Sequence, residues 1–219
     1  MSETNALLKL ALIDTPTISD ALDKLGIHGQ CVGIKPLDPK FRIAGPAFTI
    51  RYVPCGTQGG TVGDYIDDLP AGTVVALDSQ GRMDATVWGD ILTTVASRKK
   101  LGGTIIDGVC RDAPRSIELS YPIFARGSHM RTGKDRVAVD ATQCRISIGG
   151  VRVNPGDFVI GDWDGIVIVP QERADEVLEV ATKIQEAEDR IRAAVERDER
   201  LDEIRRNQGY HSLQTKESQ

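Results

Sequence analysis

The sequence predicts a mixed α/β fold built as a single domain. Short apolar runs typical of buried strands recur over the first 170 residues, and helical spacing separates only some of them. Successive strands joined by turns alone favour mixed α and β over a strictly doubly wound sheet. Beyond residue 170 the chain becomes highly charged with a narrow apolar stripe, which indicates a long C-terminal helix.

The composition is that of an ordinary globular protein. Of the 219 residues, 40% are hydrophobic and 27% charged, and the net charge is −5. The basic residues form no cluster, so we expect no nucleic-acid-binding face. There is no apolar run of about eighteen residues and no signal-peptide pattern, so we expect no membrane span. The four cysteines are far apart, which favours free thiols and a cytoplasmic location over a zinc site.

The first elements are predicted to be a helix and a strand. Apolar residues at helical spacing end at Gly26, and Thr17 or Ser19 is the expected cap of this helix. The β-branched residues of 43–53 predict a strand. The glycine-rich segment 55–63 matches neither a phosphate-binding loop nor a dinucleotide fingerprint. It is either a plain connection or a loop near a functional site.

A strand–helix–strand unit and a series of shorter elements follow. The unit consists of a strand over 72–78, a polar loop over 79–84, a helix over 89–101 and a strand over 104–109. A short helix over 114–119 comes next, and then strands over 122–125 and near 136–140, 144–153 and 158–169, with turns at 155–157 and 162–165.

Residues 171–206 are predicted to form one helix. Its apolar residues recur every seven positions in two series, Val177, Ile184 and Ile191, and Val180, Ala187, Ala194 and Leu201. This spacing is typical of a helix that packs along another helix. It fits a helix docked on its own domain and a helix docked on a neighbouring subunit equally well. The tail 207–219 is expected to be disordered.

Two motifs are predicted to meet at one end of the strand–helix–strand unit. Twenty residues separate Asp90, at the start of the helix, from Arg111, just after the second strand. The helix runs away from Gly89 for about 20 Å and the strand runs back. Arg111 and Asp112 should therefore lie beside the N-terminus of the same helix.

The residue types in these motifs suit a small carboxylate substrate. The first backbone N–H groups of the helix, at Asp90, Ile91 and Leu92, can bind an anion, and Gly89 leaves room for it. Arg111 can bind a carboxylate with two hydrogen bonds and can stabilise an enolate oxygen.

The same motifs can support metal chemistry. Asp112 is a hard oxygen ligand that suits Mg²⁺ or Mn²⁺, and Asp90 can orient a metal-bound water as general base. A 2-oxo acid would chelate the ion, which would take up electrons as a C–C bond breaks. The alternative is a helix cap beside a solvated surface ion pair, Arg111 with Asp112, that has no catalytic role.

Other candidates are less favoured. The three histidines are scattered and there is no Gly-x-Ser-x-Gly motif. Cys110 precedes Arg111, which could lower its pKa, but a packing role is favoured. Asp162 and Asp164 could bind a cation, although a hairpin turn explains both.

Around these residues the chain resembles the RraA-like family, which includes class II pyruvate aldolases acting on 4-hydroxy-4-methyl-2-oxoglutarate and 4-carboxy-4-hydroxy-2-oxoadipate. The resemblance covers roughly residues 15–200 and rests on segments 19–22, 88–92, 108–112, 122–127, 155–157 and 161–165. It implies a β/β/α swivelling-domain-like fold with a catalytic domain over 1–170 and an oligomerisation helix over 171–206. It also implies a homotrimer or homohexamer with sites between subunits.

The resemblance implies a metal-dependent lyase that releases pyruvate through an enolate and also decarboxylates oxaloacetate. Asp112 would hold Mg²⁺ or Mn²⁺ largely through waters, and Asp90 would position the acid/base water. Arg111 would contact the substrate, and the backbone from Gly89 to Leu92 would bind its pyruvoyl part.

The resemblance also bears on two charged residues outside the two motifs. Glu188 is the candidate for an acidic residue that the C-terminal helix lends to a neighbour's site. Several branches of the family carry an acidic residue where this chain has Arg115. A cation there should weaken metal binding or select a substrate with an extra carboxylate.

Two other functions remain as alternatives. One is a non-catalytic protein regulator that binds an RNA-degrading enzyme, as in the branch that gives the family its name. That branch lacks part of the acidic and metal apparatus, whereas this chain has Asp90, Arg111 and Asp112, which favours an enzyme. The other is a methyltransferase, which the absence of a glycine-rich nucleotide motif disfavours.

Overall fold

The computed structural model describes residues 3–56 and 62–207. The helices are α1 (Glu3–Leu10), α2 (Thr15–Lys24), α3 (Asp90–Arg98), α4 (Ala113–Glu118), α5 (Ala174–Val195) and α6 (Leu201–Asn207). The strands are β1 (Gln30–Cys31), β2 (Lys35–Pro36), β3 (Ile43–Pro54), β4 (Val74–Thr86), β5 (Gly103–Cys110), β6 (Ile123–Ser128), β7 (Val137–Thr142), β8 (Ile146–Ile148), β9 (Val151–Val153), β10 (Phe158–Asp162) and β11 (Gly165–Val169). The predicted mixed α/β class with a long C-terminal helix is confirmed.

Nine strands form one mixed sheet. Its order is β1–β11–β10–β3–β4–β5–β6–β2, and β7 pairs with β3 beside this path. The central strands β3, β4, β5 and β6 pair in parallel, whereas the other pairs in the sheet are antiparallel. Helices α3 and α4 provide the crossovers after β4 and β5, because parallel neighbours need a long connection. The carboxyl ends of the parallel strands therefore meet at one edge.

Alternate side chains of the central strands enter two cores on opposite faces of the sheet. On β4, Val75 and Leu77 belong to one core, to which α3 adds Ala96. Val74 and Ala76 belong to the other core, which the hairpin β8–β9 covers. Strand β5 is buried at every position, as expected for a strand covered on both faces.

Two buried carboxylates fasten the hairpin β8–β9 to the sheet. Asp78 and Asp107 are register partners on β4 and β5. Asp78 accepts a hydrogen bond from Ser147 N–H at 3.1 Å, and Asp107 accepts one from Gly149 N–H at 2.7 Å. Asp107 also accepts a hydrogen bond from Arg126 Nε. Each carboxylate thus satisfies backbone donors that would otherwise be buried without a partner.

The C-terminal helix docks on its own domain. Val177 and Ile184 of α5 lie in a third core with Ile18 and Leu22 of α2. Buried side chains of β10 and β11 belong to the same core. Ala6 of α1 contributes to the same core. Packing of α5 on its own domain is thus observed, and docking of this helix on a neighbouring subunit stays a prediction.

The prediction of one helix over 171–206 is wrong. A 3-10 turn occupies Gln171–Arg173, α5 ends at Val195 and α6 begins only at Leu201. The five residues between α5 and α6 are all charged and offer nothing to bury, and Asp198 has a positive φ of 60°. The helix therefore stops there, and Ile204 of α6 packs back on the end of α5.

The start of α2 also differs from the prediction. Thr17 and Ser19 lie inside the helix, and Asp14 is its N-cap, with Oδ1 accepting a hydrogen bond from Thr17 N–H at 2.9 Å. Pro16 occupies the first turn, where its missing N–H costs nothing. Asp162 fastens this end of the helix from outside.

Some elements differ from the prediction, and some predictions concern residues that the structure does not describe. The polar loop predicted over 79–84 is wrong, because β4 continues to Thr86 through two register shifts that accommodate its polar residues. The strand predicted over 144–153 is a hairpin, and α1 was not anticipated. The expectations for 57–61 and for the tail after 207 lie outside the described residues. No helix in the described part of the chain is long and apolar enough to cross a membrane.

Candidate active site

The two motifs meet at the carboxyl edge of the parallel strands. Arg111 N–H, just after β5, donates to the carbonyl of Trp88, just before α3, at 2.9 Å. Asp90 N–H, in the first turn of α3, donates to Asp112 Oδ2 at 3.3 Å. The strand–helix–strand return therefore brings both motifs together as the spacing predicts.

The N-cap residue of α3 has no side chain that could cap the helix. Gly89 is the N-cap residue, with extended φ and ψ of −150° and −168°, and it has no side chain to cap the helix. Asp90 N–H is already engaged by Asp112, so the expectation of three available amides is reduced to two. Within the described residues, no acceptor contacts the N–H groups of Ile91 and Leu92, and these groups can bind an anion.

Arg111 and Asp112 lie side by side at this helix end. Arg111 Nε is 3.3 Å from Asp112 Oδ2, and the two side chains are 39% and 42% exposed. Asp112 is the N-cap residue of α4, with left-handed backbone angles (φ 56°, ψ 36°), but its side chain makes no capping hydrogen bond to that helix. Its carboxylate turns instead toward α3.

A cavity of about 380 Å³ opens beside these residues. Among the predicted site residues, Gly89, Asp90, Ile91, Leu92 and Arg111 line it, whereas Asp112 does not. The carboxylate of Asp112 contacts two lining residues, Arg111 through its Nε and Asp90 through its N–H. The cavity can accept a small anion between the α3 amides and the Arg111 guanidinium.

Two ionisable residues of the cavity were not anticipated from the sequence. Asp64 follows the glycine-rich segment, and Lys134 lies between β6 and β7. The bridge between Thr86 and Thr132 holds the Lys134 segment against β4. No local motif marks either residue, because both reach the cavity only through the packing of distant segments.

The end of the glycine-rich segment lies at the site. Val62 and Asp64 line the cavity, and a Cβ on Gly63 would lie 2.6 Å from Leu92 Cδ2. For these residues the structure agrees with a loop near the site rather than with a remote connection.

Arg115 does not line the cavity. Its Nη1 is 2.7 Å from Glu118 Oε2 within α4, and its Nε donates to Thr94 Oγ1 at 3.4 Å. Its charge is therefore paired locally, which weakens the argument that it disturbs a metal ion or selects a substrate carboxylate.

Glu188 faces helix α2 of its own chain. Its carboxylate forms an ion pair with Arg192 at 2.7 Å. Burial raises the pKa of Glu188 although Arg192 acts to lower it, and the nearby carboxylates of Asp20 and Asp14 raise it further. Its contribution to a neighbouring subunit's site stays a prediction.

The donor set suits a hard, well-hydrated cation better than zinc. Asp112 offers one half-exposed carboxylate, and within the described residues no three His, Cys, Asp or Glu side chains could share a metal ion. Structural zinc needs four protein ligands of nitrogen or sulfur type, whereas Mg²⁺ keeps several waters and uses one or two carboxylates. Asp112 with water and substrate oxygens fits the second pattern.

The remaining candidates have structural roles. Cys110 is fully buried, and burial raises the pKa of its thiol to about 11, so it is a poor nucleophile. Asp162 accepts hydrogen bonds from Thr15 N–H, Thr15 Oγ1 and Asp164 N–H at 2.8, 2.6 and 2.9 Å. It therefore joins the β10–β11 turn to α2.

Known proteins are similar to this chain over most of its length. The family model described as RraA-like, Aldolase/RraA, matches residues 15–168. Protein DlpA of Legionella pneumophila is 39% identical over 94% of the chain, which spans only 34% of that protein. A Halalkalibacterium halodurans protein named "Putative 4-hydroxy-4-methyl-2-oxoglutarate aldolase" is 32% identical, over 87% of this chain and 88% of that protein.

A solved structure shares the fold. RraAS2 of Streptomyces coelicolor, described as an unusual member of the RNase ES inhibitor RraA protein family, has a TM-score of 0.78 and 28% identity. The match covers 86% of this chain and 96% of that one.

Proposed function

Because the chain belongs to the RraA-like family, we propose that it is a divalent-metal-dependent lyase that cleaves a 4-hydroxy-2-oxo acid to pyruvate. The substrate is of the 4-hydroxy-4-methyl-2-oxoglutarate type, and oxaloacetate decarboxylation is a second expected activity. The similarity to the Halalkalibacterium halodurans protein supports this substrate class.

One observation carries the proposal. Arg111 is held by its backbone beside a helix N-terminus with two available amides, and both face one cavity of about 380 Å³. A guanidinium and two available amides are the donors that a 2-oxo acid needs for its carboxylate and keto oxygens. Preorganised donors of this kind stabilise the negative charge that develops on an enolate oxygen.

Each site residue has its own role in the proposed reaction. The amides of Ile91 and Leu92 bind the carboxylate, and Arg111 binds the keto oxygen. The C4 hydroxyl gives its proton to Asp90 or to a water that Asp90 orients, while the C3–C4 electrons move to C3. The proton later returns to C3, which yields pyruvate and a second carbonyl product. Lys134 is available in the same cavity for a second substrate carboxylate.

The cofactor of this reaction is proposed to be Mg²⁺ or Mn²⁺, held by Asp112 largely through waters. When bound, such an ion supplies positive charge next to the developing enolate. Arg111, 3.3 Å from Asp112, would remain close enough to share that role.

Pyruvate release tests the proposal. We expect release from oxaloacetate and from 4-hydroxy-4-methyl-2-oxoglutarate with Mg²⁺, and loss of release with EDTA. Arg111→Lys should lower kcat/KM by about a hundredfold or more, because a lysine cannot replace the two-pronged guanidinium. Arg98→Lys, at the far end of α3, is the matched control and should leave turnover unchanged. No release by the wild-type protein with metal would refute the enzyme proposal for these substrates.

A second variant addresses the metal. Asp112→Asn keeps an oxygen acceptor for Asp90 N–H and a side chain that tolerates left-handed backbone angles. It removes the negative charge, so metal-dependent turnover should be lost while the protein stays folded. Retained turnover would place the metal elsewhere.

A non-catalytic regulator that binds an RNA-degrading enzyme is the second candidate. The similarity to RraAS2 is the observation that favours it. It predicts inhibition of an RNase E-type endonuclease by the purified protein at stoichiometric concentration, with no pyruvate release. The two activities can be measured on the same preparation.

A further inference from the structure

Trp88 contacts both motifs of the candidate site, the first turn of α3 and the segment that follows β5. Its side chain is 1% exposed and among the largest that are fully buried in the described residues. The indole stacks on Tyr121 with ring centroids 6.3 Å apart and planes within 6°. Its carbonyl accepts the backbone N–H of Arg111, and its Nε1 donates to Thr93 Oγ1 at 2.9 Å.

The hydroxyl of Thr93 links the Trp88 indole to Gly89, the N-cap residue of α3. Thr93 is 1% exposed, and its Oγ1 donates to the carbonyl of Gly89 at 2.9 Å while accepting from Trp88. The backbone N–H of Thr93 reaches the same carbonyl at 3.0 Å. The carbonyl of Gly89 is therefore held by two donors, one of which is anchored to the buried indole.

The orientation of the Gly89 carbonyl determines the orientation of the Asp90 N–H. The C=O of Gly89 and the N–H of Asp90 belong to one planar peptide unit, so fixing one fixes the other. Asp90 N–H is the group that donates to Asp112 Oδ2. A rigid chain of contacts thus runs from the indole through a hydroxyl and a peptide plane to the carboxylate of Asp112.

We infer that Thr93 and Trp88 are positioning residues that orient the α3 amides toward the cavity and hold the Asp112 carboxylate at the N-terminus of α3. The inference rests on the proposed function for its ligand, a 2-oxo acid with a divalent ion. Neither side chain is assigned a contact with the substrate. Their effect is transmitted through Gly89 and Asp90.

Three threonine variants provide the test. Thr93→Val removes the hydroxyl and keeps the shape, and Thr93→Ser restores the hydroxyl. Thr182→Val is the matched control, because Thr182 Oγ1 donates to the carbonyl of Leu178 at 2.8 Å within α5, and no residue of α5 lines the cavity. Pyruvate binding is measured by calorimetry in the presence of Mg²⁺. Thr93→Val should weaken binding about tenfold, and the other two variants should bind within about twofold of wild type.

NMR of the two indole groups gives an independent signature. Trp88 Nε1–H should exchange slowly with solvent in the wild type and much faster in Thr93→Val. Trp163 is 60% exposed and serves as the internal control, with fast exchange in both proteins. The backbone amide resonances of Asp90 and Ile91 should move in Thr93→Val only.

The outcomes separate the inference from the proposed function. If Thr93→Val binds pyruvate like the wild type and only unfolds at a lower temperature, the hydroxyl has a purely structural role and the inference is overturned. Equal weakening by Thr182→Val also overturns it. If the wild type neither binds nor releases pyruvate, the proposed function fails. In that case the amide resonances of Asp90 and Ile91 still test the inference. Unmoved resonances in Thr93→Val overturn the positioning role, and moved resonances support it.

Discussion

Gly89 is needed for room at the site rather than for an unusual backbone conformation. Its φ of −150° is one that any residue adopts. A Cβ at this position would lie 3.0 Å from Asp112 Oδ2 and 3.2 Å from Arg111 Nε. The space that the sequence suggested for an incoming anion is thus shared with the chain's own charged side chains.

Gly89→Ala should therefore displace Arg111 and Asp112 without unfolding the protein. We expect a fall in kcat/KM of about tenfold or more, with a melting temperature close to that of the wild type. Gly56→Ala is the control, since a Cβ there meets no atom of residues 3–56 and 62–207 within 4 Å. Unchanged kinetics of Gly89→Ala would show that the two side chains can shift without consequence.

Cys110 provides a pH test of its packing role. Burial raises the pKa of its thiol to about 11, so at pH 8 only about a thousandth of it is thiolate. Alkylation by iodoacetamide, followed by mass spectrometry, should leave Cys110 unmodified at pH 8 while the partly exposed Cys55 reacts. Because the unfolded chain ionises its thiols first, stability should fall as the pH rises above the ordinary thiol pKa. Rapid alkylation of Cys110 in the native protein would contradict this.

At the scale of elements, Asp162 ties the β10–β11 hairpin to the start of α2. The carboxylate is buried and accepts three hydrogen bonds, two of them from Thr15. Asp162→Ala would leave these donors without a partner and should lower the free energy of unfolding by about 3 kcal/mol, measured by urea denaturation. Asp164→Ala keeps the backbone N–H and carbonyl of the same turn and should cost far less. Equal losses would show that the turn, and not the carboxylate, carries the stability.

The elements also show where sequence patterns succeed and fail. The strands β3 and β5 and the helix α3 were predicted because their apolar residues follow a local period. The continuous 171–206 helix was a wrong prediction, since the heptad series through Ala194 and Leu201 carries no information about the charged break between them. Leu201 is 42% exposed, whereas Ile204 of α6 is buried.

At the scale of the whole molecule, the resemblance to the family implies a homotrimer or homohexamer with sites between subunits. Large apolar side chains are exposed at and beyond the site: Ile91 lines the cavity and is 73% exposed, and Met130 is 80% exposed. Exposed apolar groups next to a binding cavity favour a contact with another chain there. We therefore expect a mass of three or six times the 23.8 kDa chain in light scattering after gel filtration. A monomer that retains full turnover would contradict sites completed by a neighbour.

The candidate site was predictable in part. The return of β5 beside the start of α3 follows from the lengths of one helix and one strand, so Arg111 and Asp112 could be placed near Asp90 from spacing alone. Asp64 and Lys134 could not be placed, because each lies in a connection whose path depends on the packing of the whole sheet. The direction of the Asp112 carboxylate, toward α3 and not into α4, depends on left-handed backbone angles that no periodic pattern reveals.

By itself, the amino-acid sequence determined the α/β class, the strand–helix–strand unit and the juxtaposition of its two motifs. These features arise from local periodicity and from the fixed rise of helices and strands. Only the tertiary structure decided that α5 docks on α2 of the same chain and that Asp90 N–H is used by Asp112. It also decided that Thr93 joins Trp88 to the helix cap. Such contacts depend on how whole elements pack in three dimensions, and the spacing of residues along the chain does not contain that information.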